Sequence, residues 1–251
     1  MPQSSLELYT SIVPSPRQTA FQEGGFHVFF HYGINTFTNK EWGDSKAPAQ
    51  LFNPTRQNTD QWMEAVSASG AKGVILTAKH HDGFCLWPTE TTEYCVRNSP
   101  YCAGHGDVVR EVSDSCKKYG LKFGIYLSLW DRNCPLYGTP EYNDFYVRQL
   151  TELLTGYGEI FCIWLDGACG AKMDGKEPYP YDFDRVYKNR AQATAECGYI
   201  KLRPRYPLGG QRERPRQKKR VERCADLFLR NAEYRLPLPA DRCAGYETAG
   251  F

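Results

Sequence analysis

The stretch Gly73-Val74-Ile75-Leu76-Thr77-Ala78-Lys79-His80-His81-Asp82-Gly83 sets the reading of the whole chain. Gly73–Lys79 is a continuous apolar, β-rich run rather than an alternating one. Alternation marks a sheet with one wet face, whereas continuity marks a strand covered on both, as in a parallel sheet. The run then breaks into ionisable residues. Three other segments have the same form: Phe26–His31, Lys122–Leu129 and Ile160–Asp166. Each ends in a polar or unusual residue, respectively His31, Trp130-Asp131 and Asp166.

Between these runs the periodicity turns helical. Asp60–Ser69 follows Thr59, a candidate N-cap, and closes at Gly70. Asp107–Tyr119 gathers Val108, Val109, Val112 and Cys116 on one face and stops at Gly120. Glu141–Thr155 follows Pro140, turns Phe145, Val147, Leu150, Leu153 and Leu154 inward, and ends at Gly156. A fourth helix is expected over residues 182–193. This β-loop-α order, four times over, predicts an α/β protein with right-handed crossovers. A doubly wound sheet calls for a Gly-rich phosphate turn after its first strand. Tyr32-Gly33-Ile34-Asn35 is not one, so the expected fold is a (β/α)8 TIM-like barrel with four recognisable units. In such barrels the chemistry sits at the C-terminal strand ends, where this chain places its polar residues. Only 85 residues follow Asp166, too few for four more units at this spacing.

Composition narrows the classes. The chain has 251 residues, 41% hydrophobic and 24% charged, which excludes disorder throughout, collagen and coiled coil. No 18-residue apolar run predicts a membrane span. Met1–Phe21 shows no basic patch followed by an apolar run, so no signal peptide is read and the default location is cytoplasmic. The ten cysteines form no CxxC or zinc spacing and are read as reduced, mostly buried thiols. The net charge of +2 conceals an asymmetry: residues 1–190 carry −4, residues 191–251 carry +6. The domain reading follows that break, with 1–190 as half a catalytic barrel and 191–251 as a basic, poorly ordered tail. Its cationic run Arg203–Arg223 lacks any nucleic-acid recognition motif, so no nucleic-acid partner is expected; the rival reading is a non-catalytic carbohydrate-binding or basic-tail nucleic-acid-binding protein on a barrel remnant.

Asp166, ending Ile163-Trp164-Leu165-Asp166-Gly167, is the sharpest single signal. A carboxylate there costs desolvation and suits a nucleophile or base; the bland reading is a loop cap. His80-His81-Asp82 can recognise sugar hydroxyls, since imidazole both donates and accepts. The competing readings are a metal group with His31 and Asp166, or a structural role. Tyr32, Trp42, Trp87, Tyr126, Trp130 and Trp164 gather at the same ends; aromatic faces beside hydrogen-bonding groups suit a sugar ring, although core is the simpler account of any one of them.

With these segments in place, the first 190 residues resemble the α-L-fucosidases of glycoside hydrolase family 29. The resemblance rests on Phe30-His31-Tyr32-Gly33-Ile34-Asn35-Thr36-Phe37, Lys40-Glu41-Trp42-Gly43, Leu76–Phe84, Gly124-Ile125-Tyr126-Leu127-Ser128, Trp130-Asp131-Arg132-Asn133 and Trp164-Leu165-Asp166-Gly167-Ala168, in order and spacing. It implies a retaining glycosidase with Asp166 as nucleophile, and the Trp-Asp-Arg-Asn segment is similar to the branch acting on α-1,3/1,4-linked fucose. His31, His80, His81 and Tyr126 match residues that hold the fucose or shape its pocket, and Glu41 and Trp42 match a sugar-contacting pair. The implied partner is a fucosylated oligosaccharide or glycoconjugate; no metal or organic cofactor is implied. Family members often act outside the cytoplasm.

The tail departs from this pattern. The branch carries its acid/base glutamate in a Gly-Asn-Glu segment, where this chain reads Leu208-Gly209-Gly210-Gln211-Arg212-Glu213. Nothing around Glu213 matches, so it is not assigned the role. Reading Gln192–Cys224 one base late, with allowed codons, yields a family-like continuation including a fifth strand and Gly-Asn-Glu, its glutamate in the slot of Arg212. The tail is therefore expected to be out of frame. The polypeptide as written is expected to lack strands five to eight and the acid/base, and to be impaired.

Overall fold

A computed structural model describes residues 13–166, 180–193 and 199–202. They fall within one compact unit, Met1–Arg205, and the second unit, Tyr206–Phe251, lies outside the described residues. So do the cationic run, Glu213 and the out-of-frame reading of the tail beyond residue 202.

The apolar runs form parallel strands: β1 (His27–Phe30), β2 (Gly73–Lys79), β3 (Lys122–Leu127) and β4 (Cys162–Leu165). A further strand, β5 (Tyr199–Leu202), pairs with β4 in parallel register. This corrects the expectation that the chain lacks a fifth strand. Tyr199-Ile200-Lys201-Leu202 is short and opens a Lys/Arg-rich stretch, so its apolar signal was submerged. The strand order is β1-β2-β3-β4-β5, each strand beside its predecessor. A doubly wound sheet would reverse its order midway; an unreversed parallel succession is the arc of a barrel.

The first helix, α1 (Pro16–Glu23), was not anticipated. It starts at a capping box in which Ser15 and Gln18 exchange side chain-to-backbone bonds, with proline in its first turn. The expected helices are α2 (Thr59–Ala68), α3 (Val108–Lys118), α4 (Glu141–Gly156) and α5 (Phe183–Ala193). The cap of α2 is Asn58, which accepts from Gln61 N at 3.0 Å, and not Thr59. Thr59 Oγ1 instead lies 2.8 Å from Ser115 Oγ and ties α2 to α3.

Alternation along the strands sorts two layers. Val74, Leu76, Phe123, Ile125, Leu127, Ile163 and Leu165 share the main core with the helices. Ile75, Tyr126, Phe161 and Cys162 turn to the inner face, with Phe21 of α1 and Trp164 packed against them. Phe21 stacks 5.1 Å from His27, closing the lower end of this face. Near the upper end, the β2–β3 register shifts between Thr77 and Lys79, setting Lys79 beside Leu127. Lys79 consequently lies fully buried against α4, its Nζ 2.9 Å from Asp131 and 5.5–5.9 Å from the rings of Tyr142, Phe145 and Tyr146.

Candidate active site

The C-terminal strand ends bring Asp166, Tyr126, His81, His80 and His31 together. Tyr126 and Trp164 are neighbours across the β3–β4 ladder, so the residue after Leu165 emerges above Tyr126. The Tyr126 hydroxyl donates to Asp166 Oδ2 at 3.0 Å. His81 Nε2 approaches the same oxygen to 3.8 Å. The Asp166 side chain keeps 29% of its surface open, so the carboxylate is held from below and reachable from above.

The imidazoles form a connected group. His81 lies 4.1 Å from His80, ring centre to ring centre, and His80 lies 4.4 Å edge-on from His31. Burial drives His80 down to about 2, helped by the neighbouring His81 and His31. Burial also drives His81 down to about 4, with Asp166 pulling the other way. Both rings are neutral at neutral pH and offer one donor and one acceptor nitrogen each. Among the described residues the buried His80 Nδ1 has no hydrogen-bond partner. Burial, with the Asp166 charge, holds the Tyr126 phenol protonated far above its ordinary range.

Aromatic walls complete the site. Trp130 sits 4.9 Å from His81, and Trp42, 38% exposed, stands edge-on 5.6 Å from both rings. Arg132 ties their loops, its Nη1 donating to Gly43 O at 2.8 Å. Glu41 is exposed and lines a cavity of about 500 Å³ with His31, Tyr32, Asn35 and His80. The structure thus divides the expected site residues. His31, Glu41 and His80 border the cavity, while Asp166, Tyr126, His81 and Trp42 connect to it through contacts with His80 and with one another.

Asp82 has a structural role. It is buried, accepting from Asn35 Nδ2 at 2.9 Å and Phe84 N at 2.7 Å. Burial lifts its carboxyl to about 6. Among the described residues no group of three or more His, Cys, Asp or Glu side chains could hold a metal ion. Ser128, Asn35 and the Lys79–Asp131 pair are the site-building residues that sequence reasoning missed. For Lys79 and Asp131 the signal was present: a lysine closing an apolar strand, and an aspartate between Trp130 and Arg132, each need a buried partner.

The unreversed parallel strands, with polar residues gathered at their C-terminal ends, are the pattern of the (β/α)-barrel class. The chain belongs to the alpha-L-fucosidase family, whose sequence model matches residues 7–205. Alpha-L-fucosidase 1 of Arabidopsis thaliana is 52% identical over 173 residues, covering 68% of this chain and 34% of that protein. Tissue alpha-L-fucosidase of mouse is 29% identical over 201 residues, covering 63% of this chain and 42% of that protein. A glycoside hydrolase 29 family member from a rumen bacterium superposes with TM-score 0.69 and 45% identity, covering 74% of this chain and 35% of that one. A Ruminococcus gnavus family 29 fucosidase in complex with fucose gives TM-score 0.67 and 32% identity, covering 75% and 43%. The chain spans about a third of the length of the Arabidopsis relative.

Proposed function

We propose that this chain carries the nucleophile-bearing, fucose-binding part of a retaining α-L-fucosidase. The observation that carries the reading is Asp166, its Oδ2 held at 3.0 Å by the Tyr126 hydroxyl and its open side facing the site. Family membership and the fucose-bound Ruminococcus relative give the substrate class. The Asp166 carboxylate attacks the anomeric carbon as the glycosidic oxygen departs, giving a fucosyl ester that water then cleaves. Neutral His80 and His81, with exposed His31 and Glu41, supply the hydroxyl contacts, and Trp42 and Trp130 wall the ring's apolar side. The preferred substrates are branched α-1,3/1,4-linked fucosides, as Trp130-Asp131-Arg132-Asn133 indicates.

A retaining cycle also needs an acid about 5–5.5 Å from the nucleophile. No Gly-Asn-Glu follows Asp166 in this chain. The polypeptide as written is therefore impaired on natural glycosides, whose leaving groups need protonation. A fluoride leaving group does not. Incubation with 2-deoxy-2-fluoro-α-L-fucosyl fluoride should add one fluorofucosyl mass to the peptide containing Asp166, and Asp166→Asn should show none. Labelling at another residue overturns the nucleophile assignment. Brisk turnover of an unactivated alkyl fucoside overturns the impairment.

A further inference from the structure

Ser128 follows β3 and is wholly buried at 0% exposure. Its backbone N–H donates to Lys79 O at 3.0 Å, which fixes it beside the strand end that carries the histidines. Its hydroxyl neighbours that of Tyr126, whose own proton goes to Asp166, and makes two short contacts. One, at 2.7 Å, is to the carbonyl oxygen of Trp130. The other, also 2.7 Å, is to Nδ1 of His81. A carbonyl only accepts, so the single hydroxyl proton goes to Trp130. Only oxygen lone pairs then face His81, and Nδ1 must bring the hydrogen. Because burial keeps the ring neutral at neutral pH, the bare nitrogen is Nε2. The opposite end of the ring agrees. Nε2 and Asp166 Oδ2 stand 3.8 Å apart, beyond hydrogen-bond reach, as two acceptors facing each other would. Asp166 Oδ2 takes its hydrogen from Tyr126 instead.

We propose that Ser128 is a positioning residue that locks His81 in the Nδ1–H tautomer, so that Nε2 presents an acceptor, and no donor, beside the Asp166 carboxylate. A hydroxyl docked there donates to His81, and its oxygen lone pairs stay available to other donors. Without Ser128 the preference reverses: the carboxylate attracts an N–H, and the Nε2–H tautomer becomes the stable one. The inference rests on the fucosidase reading for the identity of the docked hydroxyl, but not for the tautomer.

The test is a long-range 1H–15N spectrum of the full chain labelled at its five histidines, at pH 7. His81 is assigned by the signals lost in His81→Gln. The expected pattern is a pyrrole-type Nδ1 and a pyridine-type Nε2. Ser128→Ala should invert or average that pattern, and Ser128→Thr, which keeps the hydroxyl, should restore it. Ser128→Cys, a weaker acceptor, replaces the alanine variant if that chain does not fold, and should give an averaged pattern. L-Fucose should bind Ser128→Ala about tenfold more weakly than the wild type, and Ser128→Thr within about threefold of it. A pyridine-type Nδ1 in the wild type overturns the proposal, as does a pattern unmoved in Ser128→Ala or Ser128→Cys. If the wild type shows the Nδ1–H pattern but binds no L-fucose, the fucosidase reading fails and the tautomer assignment stands.

Discussion

A phenol that donates to a carboxylate does two things at the residue scale: it aims one oxygen and leaves the other to react. Removing the Tyr126 hydroxyl takes away a hydrogen bond to a charged group, which corresponds to about 10–100-fold in rate. Tyr126→Phe should slow fluorofucosyl labelling of Asp166 by that factor without moving the label, as timed mass spectrometry would show. The buried imidazoles leave a second mark. An unfolded chain protonates His80 and His81 near pH 6.5, whereas the folded one holds them at about 2 and about 4. The unfolded state thus binds more protons, and stability falls as pH drops below about 6.5, by ~1.4 kcal/mol per pH unit for each imidazole. Asp82, raised to about 6, takes its proton in the folded state first and opposes one of them below that pH. Urea midpoints should therefore decline moderately between pH 6 and pH 4.5, and Asp82→Asn should steepen the decline. The strand-end position of Asp166 beside Tyr126 was legible in part before the fold was known, because a carboxylate closing an apolar run stands out. Ser128 was not, since nothing in Leu127-Ser128-Leu129 tells which strand end its hydroxyl will meet.

At the scale of elements, β2 and the loop after β3 are interlocked. Lys79 and Asp131 pair inside the α4 interface, and Asp131 Oδ1 also accepts from Asn133 N and Cys134 N. A buried charge left alone is costly, so Lys79→Met should destabilise by about 3–5 kcal/mol, and pairing it with Asp131→Leu should recover part of that. Denaturant titration followed by tryptophan fluorescence reads both. Gly83 is the second point of contact. Its φ is +88°, and a Cβ there would meet Asp131 Oδ1 at 2.4 Å and Asn133 Cβ at 2.8 Å. Gly83→Ala should therefore push the Trp130 loop away from His81 and change tryptophan emission as well as stability. The strands and four helices were readable because continuous apolar runs and 3.6-residue periodicity both report burial. The register shift at Thr77/Lys79 was not, because a bulge is a property of the pairing and β2 looks regular by itself. α1 escaped because its apolar content is almost Phe21 alone, and β5 because four residues opening a Lys/Arg-rich stretch carry little pattern.

At the scale of the whole molecule, the inner face of the arc carries apolar surface. Phe29 is 37% exposed there, 5.4 Å edge-on from Trp164, and among the described residues β1 pairs on one edge alone. Exposed aromatic surface beside an unpaired edge promotes association. The full chain should bind a hydrophobic dye such as ANS and self-associate with rising concentration. Phe29→Ser should lower both signals, as dye titration and light scattering would measure, while leaving the Asp166–Tyr126 contact in place. Among the described residues no helix is long and apolar enough to cross a membrane.

The unreversed succession of strands has a consequence for synthesis. Because every strand adds beside the one made before it, each β/α unit can dock as soon as it leaves the ribosome, with no wait for a distant partner. His81, Tyr126 and Asp166 come from strands made in immediate succession, so their meeting place is assembled once residue 166 has emerged.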